Sequence, residues 1–140
     1  EELGIEIKTP ENIEKEIDFI KSLNLDLAIV VAYGQILSKN ILSLSKNGFI
    51  NIHASLLPKW RGAAPIQRSL INMDKITGLS IMKINQKLDE GPVCNKYPLD
   101  ILENENASSL AERLSNLDAE KMDCIHILVL GLVSRMIGTK

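Results

Sequence analysis

Residues 27–32, Leu-Ala-Ile-Val-Val-Ala, form an uninterrupted apolar run that ends at Tyr33-Gly34. A half-wet strand alternates apolar and polar residues, whereas a parallel strand covered on both faces reads as continuous hydrophobic sequence. The run therefore predicts a strand inside a layered α/β fold. Upstream, Ile13, Ile17 and Ile20 recur at helical spacing, with Phe19 and Leu23 widening the stripe. Thr9 can cap that helix, Pro10 suits its first position, Glu11 favours the positive end of the dipole, and Asn24 ends it. A short strand over 3–8 precedes the helix. A short helix over 38–44 follows the apolar run, and Asn47-Gly48 turns into a strand starting at Phe49. Strand, helix, strand, helix, strand is the pattern of a parallel α/β sheet.

Further along, 64–73 reads as a helix and 78–85 as a strand. Gly91-Pro92 separates that strand from another over 93–97, and so short a connection makes the last two antiparallel neighbours. Asn106 or Ser108 opens a closing helical region with Leu110, Leu114 and Leu117 on one stripe and a nearly all-apolar stretch over 125–133. His126 in that stretch reads as structural. At 140 residues and 45% apolar content the chain is at most one domain, with enough apolar sequence for a core. Its longest apolar run, 127–133, is too short to span a bilayer. Cys94 and Cys124 have no metal-ligand spacing and read as reduced core thiols of a cytoplasmic protein. A net charge of −2 provides no basic footprint for nucleic acid.

The polar chemistry gathers in 49–62, Phe-Ile-Asn-Ile-His-Ala-Ser-Leu-Leu-Pro-Lys-Trp-Arg-Gly. Side chains alternate along a strand, so Asn51 and His53 share a face, separated by roughly 6.5–7 Å of backbone. Ile50 and Ile52 take the other face. On spacing alone, an edge strand with a wet polar face accounts for the pair equally well. Ligands in open α/β sheets bind at the carboxyl ends of the strands. Asn51 and His53 lie at such an end, and Asp89 follows the next long strand in the loop 85–92. An amide, an imidazole and a carboxylate are thus expected to converge. No ligand cluster for a metal is apparent.

The pattern Asn51-x-His53-x-Ser55-Leu56-Leu57-Pro58-x-x-Arg61-Gly62, followed by Leu88-Asp89-x-Gly91, resembles the folate-dependent formyltransferases. The continuation Trp60-Arg61-Gly62-Ala63-Ala64-Pro65-Ile66-Gln67-Arg68 resembles most the members that act on methionyl-tRNA. The likeness extends over nearly the whole chain and is densest over 49–91. It implies an α/β fold with an open, mostly parallel Rossmann-like sheet and an antiparallel edge, truncated at its N-terminus. Residues 1–140 would be part of a catalytic domain, without the family's first βαβ segment and its C-terminal β-barrel domain. The missing barrel would account for the absent basic charge, and the stretch alone would be inactive and marginally folded.

The activity implied is transfer of a formyl group from 10-formyltetrahydrofolate to the α-amine of initiator methionyl-tRNA, without a metal, by a cytoplasmic protein that is monomeric at full length. Asn51, His53 and Asp89 match the catalytic positions. Asn51 would donate to the developing oxyanion. A protonated His53 would donate as a cation, in a charge-assisted bond about twice as strong as a neutral one. Asp89 would pair with His53 and relay a proton. Ser55, Leu56, Leu57 and Pro58, with Tyr33 and Gly34, match the folate-binding pocket, the two leucines flanking a flat ring. Arg61 and Arg68, with Lys59 and Trp60, could meet the tRNA acceptor arm; a solvated loop and helix face accounts for them equally well. Another acceptor (glycinamide ribonucleotide, an amino sugar or water) or a non-catalytic folate-binding fragment remains open. Two positions depart from the family pattern. Lys87 replaces a glycine, which matters if the loop demands a positive φ there, and Glu90 adds a carboxylate beside the expected relay.

Overall fold

The computed structural model describes residues 7–136, with side chains through residue 121. The strand expected over 3–8 falls mostly outside this range, as do the side chains of Cys124, His126 and the apolar stretch 125–133. A 3-10 turn, Ile13–Glu16, leads into α1 (Ile17–Ser22). Then follow β1 (Ala28–Val31), α2 (Lys39–Leu42), β2 (Phe49–His53), α3 (Pro65–Ile71), β3 (Ile76–Lys83), β4 (Val93–Asp100) and α4 (Ala107–Met136). The first helical segment starts later than Thr9-Pro10 implies. Asn12 is its cap, accepting the Glu14 N–H at 2.9 Å, directly before Ile13, the first side chain packed inward.

The four strands form an open sheet in the order β1-β2-β3-β4. β1 and β2 are parallel, Ala28 facing Phe49. β3 joins β2 antiparallel, Ile50 facing Lys83 and His53 facing Ser80, and β4 joins β3 antiparallel. The antiparallel part thus begins one strand before the Gly91-Pro92 connection. Alternation along β2 divides the core in two. Ile50 and Ile52 pack with Leu79, Ile81, Leu110 and Leu114 on the side of α3 and α4. Phe49 packs with Ile20, Leu37 and Ile41 on the side of α1 and α2.

β1 is not covered on both faces: Ile29 is 39% and Val31 52% exposed. An unbroken apolar run reports the chemistry of a strand and not its cover, and among the described residues no side chain buries this pair. Leu23 is likewise exposed, outside the helix's inward stripe. Cys94 is exposed on β4, an edge strand, and is not a core thiol. Among the described residues no helix is long and apolar enough to cross a membrane.

Asn106 opens α4, its Oδ1 accepting the N–H groups of Ser108 and Ser109 at 2.9 and 3.0 Å. Just before it, Glu105 accepts the Leu102 N–H at 2.9 Å and Arg113 Nη1 at 2.8 and 3.0 Å. Burial pushes the Glu105 carboxyl up, but the Leu102 bond and the bonds and charge of Arg113 outweigh it and hold the group below its ordinary value. A carboxyl lowered on folding stabilises above its unfolded value, and that contribution is lost as pH falls through the folded one. Glu105→Gln should therefore lower the melting temperature at neutral pH. The gap from the parent should narrow as pH falls below the ordinary glutamate value of about 4.3 and close only below the lowered value of Glu105; thermal melts at neutral and at strongly acidic pH check this, and an equal gap at both would contradict it.

Candidate active site

β2 delivers the pair. Asn51 and His53 project from the face that carries Phe49, and His53 is buried. Strand β3 runs the opposite way, so its carboxyl end lies beside the start of β2, where the Ile84 N–H donates to the Phe49 carbonyl at 2.8 Å. Asp89 therefore does not arrive from a neighbouring carboxyl end, as a parallel arrangement would have it. The loop 84–92 folds back over the face of β2 and brings Asp89 with it. The Asn51 Nδ2 donates to Asp89 Oδ1 at 3.4 Å, and His53 Nδ1 lies 3.7 Å from Asp89 Oδ2. The side chains of His53 and Asp89 are only 8% and 11% exposed, so water screens their interaction little. The amide, imidazole and carboxylate are together.

A backbone group anchors the carboxylate more firmly than either side chain: the Gly62 N–H donates to Asp89 Oδ2 at 2.7 Å. Gly62 has φ +79, a conformation that L side chains rarely adopt, and it aims this N–H at the site. In the facing loop, the residue with positive φ is Asp89 itself, at +47, and not Lys87. Aspartate tolerates that region better than a bulky side chain, so the lysine causes no strain. Glu90 turns away from the relay. It lies 3.7 Å from both Arg61 Nη1 and Lys87 Nζ, as an exposed pair of cations would hold it.

On its other side, His53 Nε2 lies 2.9 Å from the Trp60 carbonyl oxygen. A carbonyl only accepts, so Nε2 carries a proton and Nδ1 is the nitrogen presented to Asp89. Nδ1 thus faces the Asp89 carboxylate while Nε2 is held by the carbonyl. Asn51 offers a neutral donor alongside. The three groups can thus hold developing negative charge and move a proton at one small centre.

A cleft enclosing about 500 Å³ of empty space, open solvent included, lies next to them. Val30, Tyr33, Met82 and Ile84 provide apolar wall, and Asn51, Asp89 and the loop 85–88 provide polar edge. Of the pocket residues expected from sequence, Tyr33 lies on the wall, whereas Gly34 does not line the cleft. The loop 55–58 does not contribute side chains there. Ser55 is fully buried and Leu57 is 2% exposed. Ser80 Oγ donates to the Ser55 carbonyl at 2.7 Å and accepts the Leu57 N–H at 2.9 Å. Leu57 and Ser55 hold the loop against β3, and Leu56 packs near Gly78.

The basic and aromatic cluster is tied internally. Asp74 accepts Trp60 Nε1–H at 2.7 Å, Lys59 Nζ at 2.8 Å and Asn72 Nδ2 at 2.6 Å. Arg68 donates to the Arg61 carbonyl at 2.9 Å, with its guanidinium 5.0 Å from the Trp60 ring centre. Burial raises the Asp74 carboxyl, but the bonds from Lys59, Asn72 and Trp60 and the Lys59 charge prevail and lower it. Among the described residues no cluster of histidine, cysteine, aspartate or glutamate could hold a metal ion.

The sequence pattern of the formyl transferase family matches residues 7–124. The chain belongs to the formyl transferase family. The methionyl-tRNA formyltransferase of Pelagibacter ubique is 55% identical over 125 residues, which are 87% of this chain and 40% of that protein. That of Thermodesulfovibrio yellowstonii is 50% identical over 119 residues, 84% of this chain and 39% of the relative. The chain thus spans about 40% of the length of the curated relatives it matches. The crystal structure of phosphoribosylglycinamide formyltransferase from Campylobacter jejuni superposes with a TM-score of 0.73 at 24% identity, covering 92% of this chain and 71% of that one. That is a likeness of fold. In this member of the family the three side chains expected to converge do so, while the Gly62 N–H, the Trp60 carbonyl and Asp74 were not named from the sequence. The first two are backbone groups, which carry no letter in a sequence. Asp74 sits in an Asn-Met-Asp turn that reads as ordinary loop chemistry.

Proposed function

We propose that this chain is the catalytic part of a longer methionyl-tRNA formyltransferase, cytoplasmic and monomeric, which takes a formyl group from 10-formyltetrahydrofolate and places it on the α-amine of initiator methionyl-tRNA. The single observation that carries the reading is the contact of Asn51, His53 and Asp89 beside an apolar cleft. The cleft fits the donor in kind: an aromatic and aliphatic wall for a flat ring, with polar groups at one end. When bound, the donor supplies an activated formyl carbon.

The residues then divide the work. Attack by the amine drives negative charge onto the formyl oxygen, where the Asn51 amide and a protonated His53 are the available donors. Asp89, held by the Gly62 N–H and facing His53 Nδ1, accepts the proton that the attacking amine gives up. The same proton is then due on the departing nitrogen of the donor. Burial of His53 and Asp89 strengthens each of these interactions.

Arg61 and Arg68 remain the proposed contacts to the acceptor stem, with Arg61 the better placed because Glu90 holds it only at 3.7 Å. The internal commitments of Lys59 and Arg68 favour a second reading, in which the acceptor is a small amine such as glycinamide ribonucleotide or an amino sugar. Formylation assays of the full-length protein with each acceptor, and with water, separate the two. Product with methionyl-tRNA alone is expected; none with methionyl-tRNA and product with a small amine would replace the first reading by the second.

A further inference from the structure

We infer that Asp74 is a positioning residue for His53, acting through the indole and carbonyl of Trp60. The inference deepens the proposed formyl transfer and rests on that reading for its consequence in rate.

The chain of contacts is continuous. Asp74 is itself fixed: its backbone N–H donates to the Ser69 carbonyl at 3.0 Å, just behind α3, and its side chain is 5% exposed. Its Oδ2 takes the Trp60 indole N–H at 2.7 Å. Trp60 stands at φ +57, where a bulky side chain is strained and persists only if its surroundings hold it. Asp74 supplies that hold at one end of the ring, while the Lys59 ammonium and the Arg68 guanidinium lie 5.3 and 5.0 Å from its centre. The left-handed turn at Trp60 is what directs its carbonyl to His53 Nε2 at 2.9 Å. That carbonyl keeps the proton on Nε2 and so decides that Nδ1 faces Asp89.

Loss of the Asp74 bond frees Trp60 to relax toward an ordinary backbone conformation. The carbonyl then swings away, and the neutral imidazole samples both tautomers and a turned ring. Asn51 and Asp89 stay in place, but the imidazole between them is presented correctly only part of the time.

The test is imidazole nitrogen NMR on the full-length protein, with Trp60→Phe and Asp74→Asn as mild variants and Asp74→Ala as the severe one. In the parent, neutral His53 should be protonated at Nε2 alone. In Trp60→Phe, which keeps an aromatic ring but loses the indole N–H, and in Asp74→Ala, the two nitrogens should move toward averaged shifts. The turnover number should fall by about 10–100-fold, the usual cost of losing an orienting partner, with the KM for each substrate little changed. If Asp74→Ala fails to fold, Trp60→Phe decides the matter. A single unaltered Nε2–H tautomer in Trp60→Phe would overturn the inference whatever happened to the rate. Altered tautomers in a protein that formylates no acceptor would uphold the link from Asp74 to His53 and defeat the proposed reaction instead.

Discussion

Asn51→Ala in the full-length protein lowers the turnover of formyl transfer by on the order of 10²–10³-fold, with the KM for both substrates within a few-fold of the parent. The size follows from the role: removal of one preorganised donor to a developing oxyanion usually costs that much. The KM stays because the bond strengthens as charge develops, and an interaction made only then affects turnover and not ground-state binding. Asp89→Asn should be at least as damaging, because it removes the negative charge opposite His53 Nδ1 while its carbonyl oxygen can still accept the Gly62 N–H. The double variant should lose much less than the product of the two single losses, since groups that contact one another act as a unit. Steady-state kinetics of the three variants decide the matter. Full activity in Asn51→Ala would remove the amide from the mechanism.

Gly91→Ala should damage both stability and activity. A Cβ there would sit 1.7 Å from the Lys83 carbonyl oxygen, a backbone atom with no freedom to retreat. The Lys83 N–H donates to the Pro92 carbonyl at 2.9 Å, so the entry to β4 is bonded to β3 at the point of collision. Relief requires the segment 89–93 to shift, and overpacking of this kind costs about 1–3 kcal/mol. Asp89 lies two residues away and would shift with it. Misplacement of a catalytic group by about 1 Å can cost 10²-fold, so turnover should fall by about that factor. Urea titration and kinetics on the same preparation check the two effects together. Parent-like values of both would show that the loop absorbs the methyl group.

Much of the site was legible in the letters. Asn51 and His53 two residues apart on a short strand can only share a face, and the structure has them do so. The Leu110, Leu114 and Leu117 stripe turned inward as its spacing requires, with Leu110 fully buried. The antiparallel pairing of β3 and β4 followed from a connection too short for a crossover. The path of Asp89 to the site was not legible: β3 is antiparallel to β2, and the loop 84–92 doubles back, a matter of long-range pairing. The exposed face of β1 and the burial of Ser55 and Leu57 have a similar cause. Burial is decided by what packs on a residue, and no local pattern reports it.

The available chemical groups, their alternation on β2 and the family to which the chain belongs follow from the order of residues alone, because they depend on side-chain type and on the period of an extended backbone. Long-range packing is what turns Nδ1 of His53 toward Asp89 and lets Gly62 and Trp60 hold the pair through backbone atoms. Those outcomes depend on positive φ values at Trp60, Gly62 and Asp89, which local propensity disfavours at two of the three and which only contacts between distant segments can stabilise.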